Sequence, residues 1–136
     1  MNGENMRKVT AFFVALIACA QLQAAAISMA ARPLLIKTQN TINELELVVG
    51  DPKLMKAERQ LQSAKTALSS RAAEWAKVSE TDREKAEQCL DALQKASNVA
   101  DLANMKANSG LDEAVFTSEK AKLTKLAVQC RRLTQG

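Results

Sequence analysis

Histidine and tyrosine are absent from this 136-residue sequence, and the other aromatics amount to one Trp and three Phe. Without histidine there is no Ser-His or Cys-His nucleophile pair, no imidazole metal ligand and no ordinary general base near pH 7. Only Trp75 and Phe116 lie beyond the first 13 residues, so the stacking platforms of single-strand nucleic-acid binders are missing. The four Gly and two Pro form no Gly-rich loop or low-complexity tract, and no segment alternates apolar and polar residues as a half-buried strand would. The longest apolar run is about a dozen residues, short of the ~20 that cross a hydrocarbon core.

What is present is 47% hydrophobic residues with 25% charged ones, 19 basic against 15 acidic. That mixture fits one globular domain and excludes disorder, collagen-like repeats and a multi-span membrane protein. The charges of both signs are interspersed, so the concentrated basic stripe that phosphate backbones require is lacking, and no nucleic-acid partner is expected.

The first 26 residues have the three-part layout of a secretory signal. Arg7 and Lys8 precede an apolar run from Val9 to Ala20, and a Gln-containing small-residue segment follows. Met6 is an alternative start to Met1. Ala18-Cys19-Ala20 offers cleavage before Gln21, and Ala24-Ala25-Ala26 offers a later site. The expected organisation is therefore a signal over residues 1–20 and an exported helical domain over 21–136. Two alternatives stay open: Leu16-Ile17-Ala18-Cys19 resembles a bacterial lipobox with Cys19 as the lipidation residue, and an uncleaved Val9 to Ala31 would be a membrane anchor. Membrane contact is expected only through one of these two. Removing Arg7, Lys8 and Glu4 with the signal leaves 116 residues of net charge +3.

The remaining chain reads as four helices. Leu35, Ile42, Leu45 and Val49 share a face of a helix from about 33 to 49, which Gly50 is expected to end in a left-handed conformation. Asp51-Pro52 restarts the chain as N-cap and first-turn proline. A second helix carries Leu54, Ala57, Leu61, Ala64, Leu68, Arg71, Trp75 and Val78 in alternating steps of three and four, the heptad seam of a helix with a near-parallel neighbour. Ser79 to Asp82 and Thr81 to Glu84 both have N-terminal capping spacing. The third helix, about 82–107, presents Ala86, Cys89, Leu93, Ala96, Ala100 and Ala103 on one face. After a turn at Asn108-Ser109-Gly110, the fourth, about 112–133, presents Phe116, Leu123, Leu126, Cys130 and Leu133. The fold class is all-α: a small bundle of about four helices whose last two form an antiparallel hairpin.

With Cys19 assigned to the N-terminal address, Cys89 and Cys130 form an even pair, expected to be a disulfide in an oxidising compartment. In an antiparallel hairpin, residues equidistant from the turn lie at one height, and the midpoint of 89 and 130, 109.5, falls on Ser109-Gly110. The pair would close a 41-residue loop, worth roughly 4 kcal/mol in the chain-entropy model. It would offset the small apolar area that an Ala-rich face buries. No Cys-x-x-Cys spacing or His suggests a redox role.

No catalytic, cofactor-binding or metal-binding residue is expected. Glu80, Asp82, Glu84 and Glu87 cluster where acids oppose the positive end of a helix dipole, and they lack EF-hand spacing. Lys120, Lys122, Lys125, Arg131 and Arg132 make the last helix basic, either as a solvated face or as an attraction for an acidic partner or anionic lipid. Arg71 interrupts the apolar seam, either snorkelling to water or pairing with a carboxylate of a neighbouring helix. Trp75 is either core or the anchor of a contact. Arg71, Trp75, Lys122 and Lys125 are thus the candidate partner contacts.

These features point to an exported, non-enzymatic helical protein, periplasmic or secreted, that binds or scaffolds a protein partner or associates with itself, through the Leu54–Val78 seam. A second expectation comes from layout. A short chain opening on Arg7-Lys8-Val9-Thr10-Ala11, a helical body and two cysteines, the second in Gln129-Cys130-Arg131, resembles the inner-membrane subunit of phage spanin lysis systems. It departs from that family in its cleavage-like sites after Ala18 and its Gln-interrupted apolar segment. The resemblance implies a membrane-tethered coiled-coil envelope protein that contacts an outer-membrane lipoprotein partner in membrane fusion. Lipoprotein anchoring through Cys19 is a third reading.

Overall fold

The computed structural model describes residues 27–135, so the expected signal over residues 1–20, the expected cleavage sites and Cys19 lie outside the described residues. Among the described residues, six helices account for 87% and there is no strand. Four are long: α1 (Arg32–Gly50), α3 (Glu58–Ala76), α5 (Glu87–Ser109) and α6 (Glu113–Gln135). Two are short: α2 (Pro52–Lys56) links the first pair and α4 (Glu80–Lys85) leads into the second.

The helix boundaries follow from local chemistry at most sites. Pro33 sits in the first turn of α1, where its missing N–H costs no intrahelical bond. Ser28 Oγ accepts from the Ala31 N–H just before it. At the other end, Gly50 does not adopt the expected left-handed conformation, and Gly110 is the residue with positive φ among those described. The break comes one residue later, where Asp51 turns extended because a residue before proline is sterically excluded from the helical region. Asp51 then caps α2, its carboxylate accepting from the Lys53 N–H at 2.9 Å. Ser79 caps α4 by accepting from the Asp82 N–H, so the third expected helix starts at Glu80, with an irregular turn at Ala86. Ser109 is still helical, and Gly110 alone, at φ 75°, makes the left-handed C-cap.

The expected continuous helix from Leu54 is interrupted at Ala57, whose backbone is extended enough (ψ 90°) to separate α2 from α3. Neither Gly nor Pro marks this break. It rotates α2 so that Met55 is buried while Leu54 and Ala57 face outward, and Leu61, Ala64, Leu68 and Trp75 carry the seam inward from there. The seam expected to meet a partner is therefore covered by the protein itself.

The four long helices run up-down-up-down, and short connections make sequential neighbours antiparallel. Helices α1 and α5 each pack on all three others, with α3 and α6 on opposite flanks. This central position explains the small side chains of α5: Cys89, Ala92, Ala96, Ala100 and Ala103 are buried, and larger residues would hold its neighbours apart. Cys89 and Cys130 Sγ atoms lie at disulfide distance, 2.09 Å, with their Cα atoms 4.4 Å apart, joining α5 to α6. The hairpin has the register that places the turn at its centre. Lys106 and Glu113, equidistant from the same midpoint, form an ion pair near the turn.

Candidate functional site

The four candidate contact residues do not converge. Arg71 and Trp75 belong to α3, and Lys122 and Lys125 to α6, on the opposite flank of the bundle. Trp75 is a core residue and not a surface anchor: it is 2% exposed, and its indole N–H donates to Thr38 Oγ1 of α1 at 2.7 Å. That bond satisfies the one polar atom of the ring and the buried Thr38 hydroxyl together. Arg71 has a side chain only 12% exposed and pairs with Glu74 of its own helix at 2.6 Å, so its carboxylate partner is not on a neighbouring helix. Lys37 of α1 reaches the same Glu74 carboxylate at 3.6 Å. Lys122 is exposed and paired with Glu119 at 3.0 Å, and Glu119 also holds Lys95 of α5 at 2.9 Å. These two lysines keep the Glu119 carboxyl below its usual range by hydrogen bonding. Lys125 is exposed.

The acidic cluster divides by role. Asp82 is a structural clasp: one carboxylate oxygen accepts from the Ser28 N–H at 3.1 Å and the other from the Ser28 hydroxyl at 2.7 Å. Those bonds depress its pKa, with smaller help from Ser79 and Lys85. They tie the segment before α1 to the start of α4. Among the described residues no group of three His, Cys, Asp or Glu side chains is arranged to hold a metal ion. The opposite shift occurs at Glu46, where burial between α1 and α6 pushes the carboxyl up and the Arg131 charge opposes that only in part.

The feature that did not emerge from the sequence is on the outer side of α1. Leu35, Thr38, Thr41, Ile42, Leu45, Val48 and Val49 of this helix face inward. Ile36 is 48% exposed and Leu47 69% exposed, and Asn40 (exposed) and Asn43 (half-buried) lie between them. Positions 36, 40, 43 and 47 follow three-four-step spacing, so they form one stripe along the helix. Exposed Met29 and partly exposed Leu54 extend the apolar character just past either end of α1. Leu47 and Leu54 also wall a groove of about 240 Å³ between α1, α2 and α3, completed by Glu44, Val48, Gln60, Ser63 and Ala64. The signal for this stripe was present: once the inward face is assigned, Ile36 and Leu47 are left on the opposite side of the same helix.

A second groove, about 270 Å³, runs between α3 and α5 over Trp75, Leu90 and Leu93, with Arg83 at its edge. Among the described residues, no helix is long and apolar enough to cross a membrane. No family model matches the chain, and neither the curated proteins nor the solved structures include a match to it.

Proposed function

We propose that this chain is exported and that its processed part is a non-enzymatic helical module that works by binding another protein surface. The observation that carries the reading is the outward stripe of α1, where Ile36 and Leu47 hold large apolar side chains in water on a rigid helix. Scattered exposed apolar residues are ordinary on protein surfaces, but these two bracket Asn40 and Asn43 in a stripe of three-four steps, the spacing of helix-to-helix contact. The binding surface is thus α1 in place of the α3 seam. Export is supported by the basic-apolar-small layout of residues 1–26 and by the Cys89–Cys130 pair at disulfide distance, a linkage that persists in oxidising compartments.

The test pairs localisation with contact. Intact mass of the chain recovered from an expressing bacterium, with and without reduction, is expected to start at Gln21 or Ile27 and to gain two mass units on reduction. A photoreactive residue at position 47 is expected to crosslink to protein in the same cells, and one at the exposed position 58 of α3 to crosslink much less. Full-length chain retained in the cytoplasm would overturn the export reading. Equal or absent crosslinking at the two positions would overturn the contact surface.

A further inference from the structure

We infer that the partner of the α1 stripe is a second copy of the same chain, packed antiparallel against it about a two-fold axis. This rests on the reading of α1 as the binding surface and names what binds there. With the axis level with the midpoint between Thr41 and Ile42, each residue of the stripe faces the stripe residue of the other copy whose number completes a sum of 83. Ile36 then meets Leu47 of the other copy, and Asn40 meets Asn43. Every exposed large apolar residue of the row falls opposite another, and amide falls opposite amide.

Such self-complementarity is what a closed two-fold interface demands, because both copies present the same patch. The asparagine pair has a recognised physical role: a buried amide in an apolar seam finds its partner in only one register, which fixes alignment at some cost in stability.

The flanking charges select the direction. In heptad terms Lys37 and Glu44 occupy equivalent positions on the side of the stripe toward α3. An antiparallel pair brings Lys37 of each copy beside Glu44 of the other, two opposite-charge contacts per dimer. A parallel pair would instead set Arg32 against Lys37, like charges near the start of α1, and Gln39 against Glu44, with no opposite-charge contact. Both groups are accessible for the antiparallel contact. The Lys37 side chain is 56% exposed, and its 3.6 Å contact with Glu74 is longer than the 2.6 Å bond by which Arg71 already holds that carboxylate. Glu44 is exposed.

The experiment is light scattering of the purified, processed chain over a micromolar concentration series, with three variants. The wild-type mass is expected to rise from monomer to dimer. Leu47→Lys places one unpaired ammonium against each Ile36 and is expected to weaken dimerisation about 100-fold, a tenfold loss at each of two sites. The thermal midpoint of the monomer should change little, because Leu47 is 69% exposed in the single chain. Lys37→Glu is expected to weaken the dimer, and Lys37→Glu with Glu44→Lys to restore it, a rescue that parallel pairing does not produce. A monomer at every concentration, or a dimer indifferent to Leu47→Lys, overturns the inference. If that monomer still crosslinks to a foreign protein from position 47, the binding surface stands and only its occupant was wrong; if it crosslinks to nothing, both readings fall.

Discussion

The Trp75 indole N–H of α3 donates to Thr38 Oγ1 of α1 inside the bundle, at 2.7 Å. Both side chains are almost wholly shielded from water, so each would be an unsatisfied polar group without the other. Removing one partner alone leaves a buried donor or acceptor stranded, at about 1–3 kcal/mol. Thr38→Val and Trp75→Phe are each expected to destabilise in urea melts. The double variant should lose less than the sum of the two, since the second change strands nothing further, and strict additivity would show that the bond contributes nothing. Trp75→Ala, which also opens a cavity, should cost about 3–5 kcal/mol.

Joining α5 to α6 at Cys89 and Cys130 restrains 41 residues of chain. Cys89→Ser with Cys130→Ser is expected to lower stability by roughly 2–4 kcal/mol, and the melting temperature by about 10 °C or more. Calorimetry of oxidised wild type against the variant measures this, and coincident melting curves would show that the linkage carries no stabilisation.

Gly110 ends α5 with φ 75°, and a Cβ there would meet no atom within 4 Å. The penalty for Gly110→Ala is therefore backbone strain alone, about 1 kcal/mol. Gly50 has equally open space and ordinary backbone. Gly50→Ala should be neutral or slightly stabilising, since alanine favours the helix. Paired thermal melts check the contrast, and equal losses at both sites would contradict it.

Stability against pH carries two opposite contributions. Asp82 is held below its usual range by the Ser28 hydrogen bonds, so the folded state binds its proton less readily than the unfolded chain does. Its contribution is present above the unfolded carboxylate pKa, about 4, and is lost as pH falls through the lower folded value. Asp82→Asn should flatten the acid limb of the melting-temperature profile. Glu46 is shifted upward, chiefly by burial, so its ionisation opposes folding as pH rises from the unfolded pKa through the folded one. Glu46→Gln is expected to raise the melting temperature at neutral pH and to leave it little changed well below pH 4. A melting temperature lowered at neutral pH would show that attraction to Arg131 outweighs the burial cost.

The helical class, the four long helical segments and the hairpin were legible because they depend on short-range signals. Apolar residues recur at three-four spacing, Asp51-Pro52 and Ser79 carry capping chemistry, and Asn108-Ser109-Gly110 marks the turn, although the left-handed residue among those described is Gly110 and not Gly50. The Cys89–Cys130 register followed from the position of the turn between two straight rods of equal rise. The break at Ala57 was not legible, because no residue there disfavours a helix. It exists so that Met55 can reach the core while the chain reverses between α1 and α3.

The same division separates pattern from partner. By itself the sequence determined where each helix is apolar, since periodicity records which side chains must leave water. It did not determine what covers each face. The Leu61–Trp75 stripe could equally have met another chain, and only the tertiary arrangement shows it closed by α1 and α5, with Trp75 tied to Thr38. That arrangement leaves the Ile36–Leu47 row of α1 outside. Hydrophobic burial is non-directional: it rewards any cover equally, and close packing of all four helices at once decides which face finds its cover within the chain.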